Sequence, residues 1–176
     1  TNNPIFLERT KNIGVLSKEM AINYSVTGPN LRACGLKNDL RRDEPYLAYD
    51  KFQFDVATAD NGDAWDRYRV RMEELRQSLR IIEQAIAGIP EGEATVRTGR
   101  VYKAPAAEVY LRTESPRGEL GFYIVGDGSA YPYRLKIRAP SFSNLAVLDE
   151  LVKGVKVADI VSILGSLDII MGEIDR

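Results

Sequence analysis

From Asp63 to Ala87 the positions Trp65, Tyr68, Met72, Leu75, Leu79, Ile82 and Ile86 recur at alternating spacings of three and four. That spacing predicts a helix carrying all seven on one face, with Asp66, Arg67, Arg69, Glu73, Arg76, Arg80 and Glu83 falling elsewhere. Gly88 and Pro90 stop it, because glycine tolerates the left-handed exit and proline cannot continue a helix. A heptad-spaced seam of about seven turns calls for other helices to cover it. The sequence offers few candidates, so part of the seam is expected to face an N-terminal half lying outside this chain.

The remaining pattern is shorter-ranged. Ser17 is placed to cap a helix over Lys18–Tyr24, which Thr27-Gly28-Pro29-Asn30 ends. Residues 31–60 are polar and irregular, with one expected strand at Lys51–Val56, where Phe52, Phe54 and Val56 alternate with Gln53 and Asp55. After a linker at 91–106 rich in Gly, Glu, Ala and Pro come three strand-like runs. Glu108–Arg112 is the first, and Leu120–Val125, apolar on both faces, reads as a central strand. In Tyr133–Arg138, Tyr133, Leu135 and Ile137 alternate with Arg134, Lys136 and Arg138. Gly126-Asp127-Gly128-Ser129 is a hairpin signal between the last two.

Two helices close the chain. One is capped by Ser143, carries Leu145, Leu148, Leu151 and Val152, and ends at Gly154. The other spans about Lys156 to Leu164, with Val157, Ile160, Val161 and Leu164 on one face. The tail from Asp168 to Arg176 has no clear period. The expected fold class is therefore α+β: one long amphipathic helix, a small mostly antiparallel sheet and two short C-terminal helices.

Composition narrows the chemistry. With 176 residues, 44% apolar, 28% charged and a net charge of −1, the chain reads as an ordinary folded domain without a general basic field for nucleic acid or anionic lipid. No apolar run approaches the ~20 residues a spanning helix needs. The chain has no histidine and one cysteine, Cys34, so it cannot by itself build a Ser-His-Asp triad, a Cys-His dyad or an ordinary zinc site. Starting at Thr1 without a start-like segment, it reads as a piece of a longer chain.

Several local motifs have two readings. Gly126-x-Gly128 lacks the third glycine and the following helix of a dinucleotide fingerprint and reads as a turn. Cys34 reads as a small core residue, since no histidine can activate it. Ser115-Pro116-Arg117-Gly118-Glu119-Leu120-Gly121 sets an arginine on a constrained turn. Arg117 there either offers a fixed fork of donors to a ligand or pairs structurally with a nearby acid or chain terminus. In the tail, Asp168 beside Ile169, Ile170 and Met171 suits an apolar slot edged by one carboxylate, or else a segment that only packs. The row Arg134, Lys136 and Arg138 is either a solvated strand face or a partner surface.

Gly28-Pro29-Asn30-Leu31-Arg32-Ala33-Cys34-Gly35, Asp39-Leu40-Arg41-Arg42 and the run from Tyr46 to Val56 resemble the second half of the large peripheral-arm subunit of complex I, the 49 kDa or D-type subunit. Glu114 to Gly121, Tyr133 to Leu145 and Asp168 to Arg176 follow in the order that family keeps. The resemblance covers nearly all of residues 1–176 and implies the C-terminal part of such a subunit. The family is homologous to the large subunit of nickel–iron hydrogenases without the metal centre. By that resemblance the Pro116-Arg117-Gly118 turn borders the emptied metal cavity, and Arg117, Asp168, Ile170 and Met171 are quinone-binding positions.

The resemblance further implies a subunit of a proton-pumping NADH:quinone oxidoreductase that binds no cofactor itself. A 4Fe-4S cluster in a small partner subunit would deliver electrons to the quinone substrate, and other peripheral-arm and membrane-arm subunits would hold the chain on the cytoplasmic side of the inner membrane. The isolated chain is expected to be inactive, without catalytic or metal-ligating residues of its own. Where the family has a longer segment with a His-Phe element, this chain has only Glu91–Ala107, which leaves a related ferredoxin- or deazaflavin-dependent complex open. A hydrogen-producing relative would need a cysteine pair near 168–176, and none is there. A scaffold that joins the iron–sulfur subunit to the membrane arm without touching quinone is the other reading.

Overall fold

In the computed structural model, which describes residues 3–96, 99 and 101–175, each early element starts at a recognisable cap. In α1 (Pro4–Glu8) the Asn3 side chain accepts from the N–H groups of Ile5 and Phe6, and in α2 (Lys18–Asn23) Ser17 accepts from Met20 N. Pro29 opens a further turn, α3 (Pro29–Arg32), because proline fits the first helical position. α2 ends earlier than the Thr27-Gly28-Pro29-Asn30 turn, at Asn23 with Tyr24 as its C-cap, so Gly28-Pro29 only starts the next helix. Asp39 caps α4 (Leu40–Asp43), and Asp63 caps the long α5 (Ala64–Ala87).

Beyond α5 come β1 (Ala107–Ser115), β2 (Gly118–Gly126) and β3 (Arg134–Arg138), an antiparallel sheet in the order β1-β2-β3. Ser115 pairs with Gly118 across the turn, and Gly121 pairs with Arg138. The central position of β2 agrees with its two apolar faces. The C-terminal elements are α6 (Pro140–Leu145), α7 (Leu148–Leu151), α8 (Val157–Leu167) and α9 (Met171–Ile174). The α+β class stands, with more short helices than the periodicity predicts. Parts of the 91–106 linker and Arg176 at the end of the tail lie outside the described residues.

Two expected elements differ. No strand forms at Lys51–Val56: a 3-10 turn covers Tyr49–Lys51 and the rest runs extended without a strand partner. Side chains of α5 take the place of a ladder. Gln84 accepts from Gln53 N at 2.8 Å and donates to Gln53 O at 2.8 Å, and Gln77 accepts from Asp55 N at 3.0 Å. Alternation reports an extended backbone with one buried face, not what satisfies its polar groups. Nor does Ser143 cap the next helix. Pro140 starts it earlier, at the first helical position, and Val147 separates α6 from α7.

The larger surprise is which way α5 faces. Its buried residues are Ala64, Asp66, Arg67, Val70 and Gln77, while Leu75, Leu79, Ile82 and Ile86 are each more than half exposed. At about 100° per residue the seam and the buried stripe lie on roughly opposite sides of the helix. α8 too is turned from its expected face: it buries Asp159, Ile163 and Leu167 and exposes Val157 and Val161.

The core gathers Leu16, Val26, Leu31, Cys34, Val147, Leu151, Ile163 and Leu167. Guanidinium groups join α5 to it. Arg67, with 0% exposure, donates from Nε to Ser166 Oγ (2.8 Å) and from Nη1 to Gly14 O (3.0 Å) and Gly62 O (2.7 Å). Arg71 Nη1 donates to Ser166 O at 2.7 Å and its Nη2 to Leu167 O at 3.3 Å. These are carbonyls of the last turn of α8, where the helix dipole is negative.

Replacing Arg67 with methionine removes both donors to the Gly14 carbonyl and one partner each from Gly62 O and Ser166 Oγ, which keep Leu16 N and Ile163 O. Arg67→Met should cost about 3 kcal/mol in denaturant unfolding, whereas Leu79→Gln on the opposite face should change stability by less than about 0.5 kcal/mol.

Candidate functional site

The Ser115–Gly118 turn is pressed against the loop before α3. Gly28 (φ 68°) and Gly118 (φ 130°) both occupy the positive-φ region. A Cβ on Gly118 would lie 2.5 Å from Thr27 Oγ1, and one on Gly28 would overlap the Gly118 backbone. Asn144 of α6, 1% exposed, fastens both strands of this contact. Its Oδ1 accepts from Thr27 N (3.0 Å) and its Nδ2 donates to Arg117 O (3.2 Å). Thr27 Oγ1 in turn accepts from Glu119 N at 3.2 Å. Arg117 therefore projects from a turn whose backbone is held on both sides.

Arg117 reaches the end of α8. Its Nε donates to Asp168 O at 3.0 Å and its Nη2 to Asp168 Oδ1 at 3.3 Å. Asp168 is the C-cap of α8 in the left-handed conformation (φ 58°, ψ 55°), which an aspartate tolerates better than most residues. Asn30 assists from α3, donating from Nδ2 to Leu167 O at 3.1 Å and accepting from Arg71 Nη2 at 3.0 Å. Arg71 Nε, 3.8 Å from Asp168 Oδ2, is buried and has no hydrogen-bond partner among the described residues. Burial lowers the Arg71 pKa, against the pull of Asp168.

A cleft of ≈ 410 Å³ opens beside this pair, lined by Arg32, Arg71, Glu74, Glu114, Pro116 and Asp168 among others. Arg32 lies at its base, 1% exposed, donating from Nε to Glu74 Oε1 (2.7 Å) and from Nη1 to Glu114 Oε1 (2.8 Å). Asp39 pairs with Arg41 alongside, at 2.6 Å. Burial opposes the Arg32 charge, yet Glu74, Glu114 and Asp39 together raise its pKa. The size suits a small ligand, and the charged groups of the lining are held in place by their own ion pairs.

The structure thus brings together two of the four residues singled out from the sequence, Arg117 and Asp168. Ile170 and Met171 do not line this cleft. Ile170, 39% exposed, precedes α9 with its N–H donating to Ser141 Oγ at 3.4 Å, and Met171 is 73% exposed. Glu173 holds α9 to α6 by accepting from both Ser141 N (3.1 Å) and the Ser141 hydroxyl. Cys34 is buried, and burial pushes its thiol up to about 11, which suits a packing role. In the cationic row, Arg138 instead donates to Glu119 O at 2.8 Å, while Arg134 and Lys136 lie on exposed strand positions. Among the described residues no group of His, Cys, Asp and Glu side chains is placed to hold a metal ion, and no helix is long and apolar enough to cross a membrane.

Arg32, Arg71, Glu74, Glu114 and Asn144 were missed as site residues. For the first four the available signal was their position beside the Gly28-Pro29 and Pro116-Arg117-Gly118 turns or on the polar side of α5; Asn144, on α6, carried none.

The family model described as respiratory-chain NADH dehydrogenase, 49 Kd subunit, matches residues 1–104 and 97–176. Among curated proteins, the NADH-quinone oxidoreductase D subunit of Dehalococcoides mccartyi is 53% identical over 176 residues, covering 100% of this chain and 48% of the relative. A NADH-quinone oxidoreductase D subunit of Solibacter usitatus is 52% identical with the same coverage. The corresponding D subunit of Bacillus mycoides is 52% identical over 99% of this chain and 48% of its own length. The chain spans about half the length of the curated relatives it matches.

The glycine contact is testable by itself. Gly118→Ala should force the turn away from Thr27, loosen the Arg117–Asp168 pair and cost about 2–3 kcal/mol in thermal or denaturant unfolding.

Proposed function

This chain belongs to the family of the 49 kDa subunit of respiratory-chain NADH dehydrogenase, and on that premise we propose that it is the C-terminal half of a complex I subunit that walls the quinone chamber. In this reading a quinone bound against the cleft receives electrons from an iron–sulfur cluster in a neighbouring small subunit. This chain supplies shape, hydrogen bonds and charge, and carries no electrons. It sits on the cytoplasmic side of the inner membrane, held there by the membrane-arm subunits.

The observation that carries the proposal is the Arg117–Asp168 pair at the edge of the ≈ 410 Å³ cleft. A quinone head group offers two carbonyl acceptors on an apolar ring, and Arg71 Nε is a buried donor beside Asp168 with no hydrogen-bond partner among the described residues. Such a donor strengthens as charge develops on a quinone oxygen. Ile170 and Met171 continue from Asp168 as apolar, partly open surface, suited to the same chamber where other subunits close over it. The outward seam of α5 supports the idea that the rest of the subunit packs there, since an exposed apolar stripe of this length is uncommon on a free surface. A scaffold role alone leaves the unused donor and the cleft without purpose.

The choice between these readings falls to Ile170→Trp in the full-length subunit. In native membranes the assembled complex should persist on an immunoblot while quinone turnover or apparent quinone affinity falls roughly tenfold, because the indole crowds the open apolar surface beside Asp168 where the proposed chamber closes. Unchanged activity per assembled complex would favour the scaffold.

A further inference from the structure

Glu114 is the penultimate residue of β1, two residues before Pro116, and its side chain is 4% exposed. Its Oε1 accepts from Arg32 Nη1 at 2.8 Å and its Oε2 from Leu40 N at 3.3 Å. Arg32 is shared with Glu74, and among the described residues it is the one cation within ion-pair distance of either glutamate. The neighbouring Asp39 is matched by Arg41, and the next guanidinium along the cleft, Arg71, lies closest to Asp168. Tyr46 completes the surroundings, its hydroxyl accepting from Glu114 N at 3.1 Å.

Glu74 and Glu114 thus share one guanidinium, Arg32, while Arg41 serves Asp39 and Arg71 lies nearer Asp168, acting on Glu74 through space. Two carboxylates dividing one cation in a poorly solvated place favour holding a proton on one of them. Of the two carboxylates that share Arg32, Glu114 is the more buried, 4% against 17% exposed, and is the better place for that proton. Burial raises the Glu114 carboxyl above the ordinary carboxylate range, against the pull of Arg32 and with a further push from Asp39.

Glu114 and Asp168 line the same cleft, which is polar and wide enough to hold water. We infer that Glu114 is a proton-relay residue of the quinone reaction, supplying one of the two protons that accompany quinone reduction. The inference rests on the quinone reading above. The quinone takes two electrons from the partner's iron–sulfur cluster and two protons to become a quinol. The Glu114 O–H bond breaks to give one proton by way of cleft water, the second comes from elsewhere in the complex, and the carboxylate is reprotonated from solvent.

The test uses the full-length subunit in the assembled complex, with quinone turnover followed against pH. Because the acid form is the donor, the parent rate falls as pH rises through the Glu114 pKa. Glu114→Gln should assemble, keep its quinone KM within about twofold, lose at least roughly tenfold in turnover and lose that alkaline fall. Parental turnover with a parental pH profile overturns the relay. Ile170→Trp, measured alongside, separates the two claims. If it lowers quinone turnover while Glu114→Gln does not, the relay alone fails; if neither variant has an effect, the quinone reading fails with it. Should Glu114→Gln not assemble, Glu114→Asp decides, because it keeps a titratable group at shorter reach. A displaced alkaline limb supports the relay, and an unchanged one overturns it.

Discussion

Arg67 is a positive charge with no exposed surface and, among the described residues, no carboxylate within ion-pair distance. Burial pushes its guanidinium down to about 10, so it stays charged near neutral pH and must be satisfied by carbonyls and a hydroxyl alone. Gly14 O, Gly62 O and Ser166 Oγ converge on it from two loops and the end of α8. That requirement fixes three things together: the entry into α5, the position of the α8 C-terminus and the orientation of the long helix. Gly14, at φ 58°, has to be glycine in this setting, since a Cβ would lie 2.8 Å from Ile163 Cγ1.

Periodicity located α5 to within a residue and identified its seam, yet the folded chain buries the other side. Hydrophobic spacing says that a stripe is apolar; it does not say which body covers it. Where arginines can reach the carbonyls of a neighbouring helix end, a polar face serves as the internal face, and Arg67 with Arg71 does this for α5. The sheet was easier to read because central strand β2 is apolar on both sides, and its neighbours follow from short turns. Lys51–Val56 misled for the converse reason: its alternation is real, but glutamines of α5 replace a partner strand.

The candidate site was legible where turn chemistry restricts the backbone. Pro116-Arg117-Gly118 and Gly28-Pro29-Asn30 stand out in sequence, and their contact needs glycine at both 28 and 118. What joins them is not local. Asn144 comes from α6, Asp168 from the end of α8 and Arg32 from α3, and no spacing rule relates these positions. The sharing of Arg32 between Glu74 and Glu114 is likewise a property of three-dimensional neighbours. The same guanidinium-rich interior that orients α5 also edges the cleft, since Arg71 touches both the α8 carbonyls and Asp168. Fold and proposed function thus share one set of side chains.

In the proposed assembly, α5 turns its polar face inward and offers its apolar face to the rest of the subunit. Maleimide labelling of Leu79→Cys, compared between this chain alone and the full-length subunit, tests it most directly. Cys34 stays silent in the comparison because it is buried and its thiol is pushed up to about 11. Position 79 should label rapidly in the chain alone and be strongly protected in the full-length subunit. Equal labelling in the two, or protection in the chain alone, would contradict it.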